Sequence, residues 1–359
     1  MQLQKLFKIL FLSLLLIAPF SSFAIGDEAA EEAKTKTDNK EYILHHLKDS
    51  YSFHIVANVS FPLPILLWDK GVHFFMSSAF DSETEHETAV AECDGKFYKL
   101  NHHDNKIYET DAQGTITMDK EGHPTNNLPF DFSITKNVFT LILVMIFMFW
   151  LFRNMAKNYS NSLVPKGAAK FLEPIILFVR DEIAIPNIGE KKHGKFMGFL
   201  LSVFFFIWIV NLLGLTPLGI NITGNIAITA ALAIMTFFVT MYTSKSAYWT
   251  HIFWMPGVPV PMKFILAPIE LLGVFIKPFA LLIRLYANMT AGHVVIGSLI
   301  ALLYIFHNVF AQGAFLGLTF FLSLIELLVA FLQAYIFTML SALYFGAAVE
   351  EHHHEEAHH

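Results

Sequence analysis

The chain has 359 residues, 55% hydrophobic and 15% charged, with 37 Phe and a net charge of −6. That balance excludes a nucleic-acid surface, because 24 Lys and Arg face 30 Asp and Glu and lie dispersed along loops. Cys93 is the single cysteine, which excludes an intrachain disulfide and leaves no expectation of a cysteine-based metal site or of a cofactor.

Residues 1–24 read as a secretory signal. Lys5 and Lys8 give a positive start, Ile9 to Phe20 an apolar centre, and Ser22-Phe23-Ala24 a small-x-small cleavage site. An uncleaved anchor is the weaker reading, since the apolar centre is short and the polar stretch Gly26 to Lys40 follows at once. The mature N-terminus is therefore expected outside the cytoplasm. Charge then divides the chain: residues 25–133 hold 20 Asp and Glu against 9 Lys and Arg, and residues 134–359 hold 10 against 13. An acidic extracytoplasmic region (25–133) is expected before a membrane domain (134–349) and a His/Glu-rich cytoplasmic tail (350–359).

Within the acidic region, Tyr42 to Asp49 has a helix-like pattern. Lys96 to Leu100, Lys106 to Glu109 and Thr115 to Met118 read as short strands separated by turns containing Asp, Asn and Gly. The apolar run Phe61 to Trp68 is too short and too rich in proline to cross a bilayer. A small β-containing module is expected here.

Five apolar segments follow: Val138 to Phe152, Phe196 to Leu215, Asn225 to Tyr242, Met262 to Phe306 and Ala314 to Phe345. The basic loop of Arg153, Lys157, Lys166 and Lys170, an amphipathic stretch from Phe171 to Ile183, and the cluster Lys191, Lys192 and Lys195 mark a cytoplasmic face. Lys245 to Pro261 reads as a second cytoplasmic connection. The fourth segment is about twice the ~20 residues an upright span needs, so it must tilt, bend at Pro268 or Pro278, or start along the interface. The expected fold is an all-α polytopic membrane protein with about five transmembrane helices, the fourth and fifth long and tilted, plus an amphipathic interfacial helix.

Polar residues inside these segments carry the functional signal. Arg284 keeps its charge under all ordinary conditions. An arginine at bilayer depth costs at least ~2.5 kcal/mol, so it faces a partner or a wet cavity. Snorkelling is excluded by about twenty mostly apolar residues on each side of Arg284. Glu270, Lys277, Arg284 and Asn288 are spaced by seven, seven and four, which puts them on one helical stripe. A purely structural stripe facing counter-charges stays open for Glu270 and Lys277. His293 lies nine residues past Arg284, on the opposite face and ~13.5 Å along the axis. Glu326 and Gln333 share a face of the fifth segment. Levelling Gln333 with Arg284 brings His293 and Glu326 within about one turn of each other, the arrangement a water-filled proton path needs.

These residues resemble subunit a of the bacterial F-type ATP synthase. Arg284-Leu285-Tyr286-Ala287-Asn288-Met289-Thr290-Ala291-Gly292 is similar to the family's arginine motif, and Gln333-Ala334-Tyr335-Ile336-Phe337 to its last-helix signature. Glu270 and Lys277-Pro278 fall at matching places, Val164 to Gly167 resembles the first cytoplasmic loop, and Glu41 to Leu47 the N-terminal stretch. Many members carry Glu at the position of His293 and His at that of Glu326, so the pair looks exchanged. The region 48–129 is longer than usual. The resemblance implies two aqueous half-channels beside a rotating c-subunit ring. His293 and Glu326 would lie in the external one, Arg284 would separate the two, Gln333 would orient the guanidinium, and Asn288 would line the site. It implies a b-subunit peripheral stalk and the other synthase subunits as further partners, the lipid bilayer as surroundings, and the bacterial inner membrane as location.

Two other classes were weighed. His354-Glu355-Glu356-Ala357-His358 matches the zinc-protease H-E-x-x-H pattern, but it sits in a biased terminal tail with no third ligand. A secondary transporter usually shows an internal repeat, and none is evident. There is no G-x-x-x-x-G-K-[ST] phosphate loop for phosphoryl chemistry. Asn58-Val59-Ser60 and Asn221-Ile222-Thr223 match glycosylation triplets, which arise easily by chance.

Overall fold

The computed structural model describes residues 49–56, 59–80, 89–101, 104–119, 124–161, 167–216, 220–255, 258–306 and 309–349. The signal segment, the acidic leader, Tyr42 to Leu47, the loop motif Val164 to Lys166 and the His/Glu tail lie outside the described residues.

The N-terminal module is β-built. Strands β1 (Ser52–Val56) and β2 (Val59–Pro62) form a hairpin. Strands β3 (Pro64–Trp68), β4 (Val72–Met76) and β8 (Phe130–Asp131) form one antiparallel sheet in the order β4-β3-β8. Strands β5 (Ala91–Cys93), β6 (Lys96–Asn101) and β7 (Lys106–Thr110) form another. Two expected strands are thus present as β6 and β7. Thr115 to Met118 is not one of them, contributing a single bridge from Met118 to Pro124. That segment is held by side chains instead: Asn126 Oδ1 accepts from the Thr117 amide at 2.7 Å, and its amide group donates to the Thr115 carbonyl at 3.2 Å. Asp94 and Gly95, with φ of 52° and 76°, close the β5–β6 hairpin with the doubly left-handed turn that suits an Asp-Gly pair. Leu63, Ile65, Leu67, Tyr98 and Ile107 fill the module's core.

Eight α-helices follow: α1 (Lys136–Asn161), α2 (Ala168–Phe178), α3 (Ile185–Ile188), α4 (His193–Gly214), α5 (Ile226–Thr243), α6 (Ser246–Phe253), α7 (Val260–Ile305) and α8 (Val309–Val349). A π-helical segment, Val179–Ala184, joins α2 to α3, so the amphipathic stretch is helical with a wide turn at its end. Five helices (α1, α4, α5, α7 and α8) are long and apolar enough to cross a membrane. The returning span starts where Asn225 caps α5, its side chain accepting from the Ala227 amide at 2.9 Å. The connection between α5 and α7 contains a helix of its own, α6, which the sequence reading did not mark.

Helix α7 continues through both Pro268 and Pro278 for 46 residues, ~69 Å of rise. Helix α8, with 41 residues, reaches ~62 Å. The helix α7 is thus continuous across both prolines. Both helices far exceed a ~30 Å hydrocarbon layer and need strong tilt within it.

Helix α4 is the hub. Phe204, Phe205, Trp208 and Phe331 make mutual ring contacts, with Phe204 and Phe331 edge-on at 5.8 Å, while Phe196 stacks on Phe345 at 4.9 Å. Gly346 of α8 lies so close to α3 that a Cβ there would strike the Asn187 carbonyl oxygen. Backbone contact at Gly346 and aromatic packing along α4 fix the register of α8 against the bundle.

Candidate functional site

Helices α7 and α8 run side by side and present most of the polar residues singled out from sequence. Arg284 and Asn288 lie on the exposed face of α7, together with the small side chains of Ala287 and Ala291. Large apolar side chains surround them on the same helix, with Phe279 and Ile276 about 60% exposed (62% and 59%). Among the described residues Arg284 makes no ion pair. A guanidinium is therefore displayed in an apolar surface, beside side chains small enough to admit a close neighbour.

Two clefts flank Arg284 along the helix pair. The first is a narrow cleft lined by Asn211 and Leu215 of α4, Leu285, Asn288 and Met289 of α7, and Glu326, Val329, Ala330 and Gln333 of α8. The second is lined by Thr236, Thr240 and Met241 of α5, Tyr248 of α6, Lys277 and Leu281 of α7, and Tyr344 of α8, among others. Lys277 and Asn288 are eleven residues apart on one helix, which displaces the clefts by ~16 Å along the axis. Arg284 falls between them.

The first cleft brings together Asn288, Glu326 and Gln333, as their spacing implied. Glu326 packs directly on Gly292, where a Cβ would collide with the carboxylate, so its neighbour in sequence, His293, lies at the same level. His293 turns its Nε2 toward Gly214 of α4, and that nitrogen is buried without a hydrogen-bond partner among the described residues. His293 and Glu326 thus lie at matched depth, the carboxylate against Gly292 and the imidazole against Gly214, with no hydrogen bond between them among the described residues. Gln333 is buried, and it faces this cleft rather than donating to or accepting from Arg284. Among the described residues no hydrogen bond links Gln333 to Arg284.

The second cleft collects the rest of the stripe. The Lys277 ammonium lies 5.6 Å from the centre of the Tyr344 ring, and Arg284 is within electrostatic reach of the same tyrosine. Glu270 is within electrostatic reach of Tyr248. The four-residue stripe therefore divides: Glu270 and Lys277 face neighbouring helices, whereas Arg284 and Asn288 face outward.

The sequence reading missed Asn211, Tyr248 and Tyr344. Asn211 is almost completely buried, and its Oδ1 accepts from the Thr223 hydroxyl at 2.8 Å. A lone amide in an otherwise apolar span was a legible signal. The tyrosines offered none, since only packing shows that they meet Lys277 and Glu270. Asn221 is turned inward and accepts from the Gly224 amide at 3.0 Å, so its glycosylation triplet is not displayed.

A profile of the family described as "ATP synthase A chain" matches residues 138–346, which hold both clefts and Arg284. The chain belongs to that family. It is 38% identical to ATP synthase subunit a 2 of Prosthecochloris aestuarii over 82% of this chain and 93% of that relative. It is 44% identical to ATP synthase subunit a of Chloroherpeton thalassium over 64% of this chain and 71% of that one. The similarity to ATP synthase subunit a of an Anaeromyxobacter strain, 40% identical over 70% of this chain, spans 63% of that relative's length. A second profile, "Domain of unknown function (DUF8433)", matches residues 42–132, the β-built module. The A chain family match begins just after that module's match ends, so the two are separate in sequence.

In the module, one group of side chains brings potential ligand atoms together. Potential ligand atoms of His73, Cys93 and Asp94 all lie within 4.8 Å of one another, although they come from β4 and from the β5–β6 turn. His73 Nδ1 faces Asp94 Oδ2 at 3.1 Å and its Nε2 faces the Asp69 carbonyl at 3.2 Å. The Lys96 ammonium, 3.2 Å from that same carbonyl, already places a positive charge nearby and disfavours a further cation.

Proposed function

We propose that the chain is the stator subunit a of an F-type ATP synthase, conducting protons through two offset half-channels past a rotating c-subunit ring. The observation that carries this reading is the pair of clefts displaced along α7 and α8 with Arg284 between them, on a face left free for a neighbour. Protons from the external side would reach a ring carboxylate by way of His293 and Glu326, with Asn288 and Gln333 lining the last part of the first cleft. They would leave through the second cleft, past Lys277 and Tyr344.

Arg284 serves as the electrostatic barrier. Its permanent charge favours an ionised ring carboxylate opposite it and repels a proton hopping directly between clefts. Ala287 and Ala291 let a ring helix approach closely enough for that attraction to act. Each charge crossing the membrane is worth ~2.3 kcal/mol per 100 mV, to which the pH difference adds. The ring passes that energy on as rotation. This chain supplies the path and carries out no phosphoryl transfer itself.

The reading includes a b-subunit peripheral stalk and the remaining synthase subunits as partners, a bacterial inner membrane as the site, and an extracytoplasmic N-terminus after signal cleavage. The test is ATP-driven proton pumping in inverted vesicles that contain wild-type or Arg284→Ala chain at equal assembly. Loss of pumping with normal subunit incorporation is expected. Undiminished pumping would refute the assignment of Arg284 to coupling.

A further inference from the structure

Strands β3 and β4 are apolar on both faces. Ile65, Leu67 and His73 turn into the module's core, whereas Leu66, Trp68, Val72, Phe74 and Met76 alternate outward. The register makes those outward side chains neighbours: Leu66 opposes Phe74, Trp68 opposes Val72, and on the other edge Trp68 opposes Phe130. Phe74, Phe130 and Trp68 are 60%, 76% and 57% exposed. An antiparallel sheet with one face in water normally alternates apolar with polar residues. Here the outer face leaves roughly 600 Å² of apolar surface uncovered, at the top of the range for the largest patch on a soluble monomer.

The chain itself shows where this face sits. Strand β8 ends at Asp131 and α1 starts at Lys136. The junction is stiff: the Phe132 amide donates to the Leu66 carbonyl, the Ile134 amide to the Pro64 carbonyl, and the Lys136 amide to the Ser50 carbonyl, at 2.8–3.1 Å. Asp49 also accepts from the Asn137 amide at 3.0 Å, serving a first-turn amide of α1 from outside the helix. Along α1 no charged residue follows Lys136 until Arg153. A ~30 Å hydrocarbon layer takes ~20 helical residues, and counting back from Arg153 brings its far edge to about residue 133, beyond the start of the helix. The bilayer boundary thus falls on the link between α1 and the sheet.

We infer that the β4-β3-β8 face lies on the membrane, with Trp68, Phe74 and Phe130 seated among the lipid headgroups and upper acyl chains. Aromatic side chains are enriched at that depth because they are apolar bodies that tolerate a wet edge. Lys70, exposed in the turn beside Trp68, meets lipid phosphate there. The module is therefore a membrane-resting collar on α1 rather than a domain held out in solution. This inference depends on α1 crossing the bilayer and is independent of proton conduction.

The test uses the full chain in phosphatidylcholine proteoliposomes, with spin labels at Phe74→Cys or Phe130→Cys in a Cys93→Ser background and Gln113→Cys as the water-facing control. Collisions with oxygen should exceed collisions with a water-soluble nickel chelate several-fold at 74 and 130, and the order should reverse at 113. Chelate access at 74 and 130 equal to that at 113 would overturn the inference. Protection from both reagents would also overturn it, since a protein partner or a second copy would then cover the face. Wild-type chain with a phosphatidylcholine carrying a photoreactive group near its headgroup provides the check that needs no substitution. Lipid adducts are expected on peptides 64–76 and 130–132, and their absence would equally overturn the inference.

Discussion

Substituting Gly292 by alanine tests the geometry of the first cleft through a residue that bears no chemistry. A Cβ at position 292 would lie 2.5 Å from Glu326 Oε2 and closer still to Oε1, where ordinary contact begins at 3.4 Å. The carboxylate must retreat by roughly 1 Å. Its side chain is flexible, so the fold tolerates the move, and alanine is the better helix former by ~1 kcal/mol. Stability and assembly should therefore stay near wild type. Function should not, because a ~1 Å misplacement of a group in a transfer path costs up to ~100-fold in rate. ATP-driven pumping in inverted vesicles, normalised to incorporated subunit, should fall ~10–100-fold for Gly292→Ala. The double variant Gly292→Ala, Glu326→Asp, one methylene shorter at the carboxylate, should recover part of the loss. A well-assembled Gly292→Ala chain that pumps at the wild-type rate would refute the claim that the Glu326 position governs proton entry.

Gly346→Ala should behave in the opposite way. Its new methyl strikes backbone at Asn187, which cannot swing aside, so a loss of ~1–3 kcal/mol and poor assembly are expected in thermal unfolding and membrane incorporation. Asn211→Leu removes the acceptor of the buried Thr223 hydroxyl and should cost ~1–3 kcal/mol, with Asn211→Leu/Thr223→Val recovering much of it in the same assay. Acid should loosen the N-terminal module. Asp69 is held below its usual 3.8 by the Lys96 hydrogen bond, and Lys96 correspondingly above its usual 10.5. A depressed carboxylate stabilises the folded form above about pH 4 and gives up that contribution as pH falls through its lowered value, whereas the lysine's share goes only as pH rises past its raised one. Hydrogen exchange of β3 and β6 should therefore be protected at neutral pH and accelerate below about pH 4. Lys96→Met should flatten that acid dependence, and an unchanged profile would remove the pair from the account.

Much of the candidate site was legible because a bilayer makes polar residues conspicuous. Arg284 could be read without a neighbour in view, since no apolar span keeps a permanent charge without a use for it. Spacing then aligned Glu326 with Gln333 and brought His293 to the level of Glu326, because helical periodicity is a local property of the chain. The five spans and the β6–β7 hairpin followed from hydropathy and turn chemistry for the same reason. Periodicity also overreached. It read a strand from Thr115 to Met118, where the Asn126 side chain bonds the Thr115 and Thr117 backbone instead.

What sequence alone supplied was the inventory: five segments long and apolar enough to cross a membrane, the charges within them, and which polar side chains share a helix face. Tertiary packing decided the rest. The two clefts exist only because α4, α5 and α6 close different lengths of the α7–α8 pair, and no local pattern encodes where two long helices part. Asn211, Tyr248 and Tyr344 enter the site from helices remote in sequence. His73, Cys93 and Asp94 meet across strands in the same way. The outward apolar face of β3 and β4 was hidden as well, because a sequence shows that alternate residues are apolar but not which side of the sheet the core leaves bare.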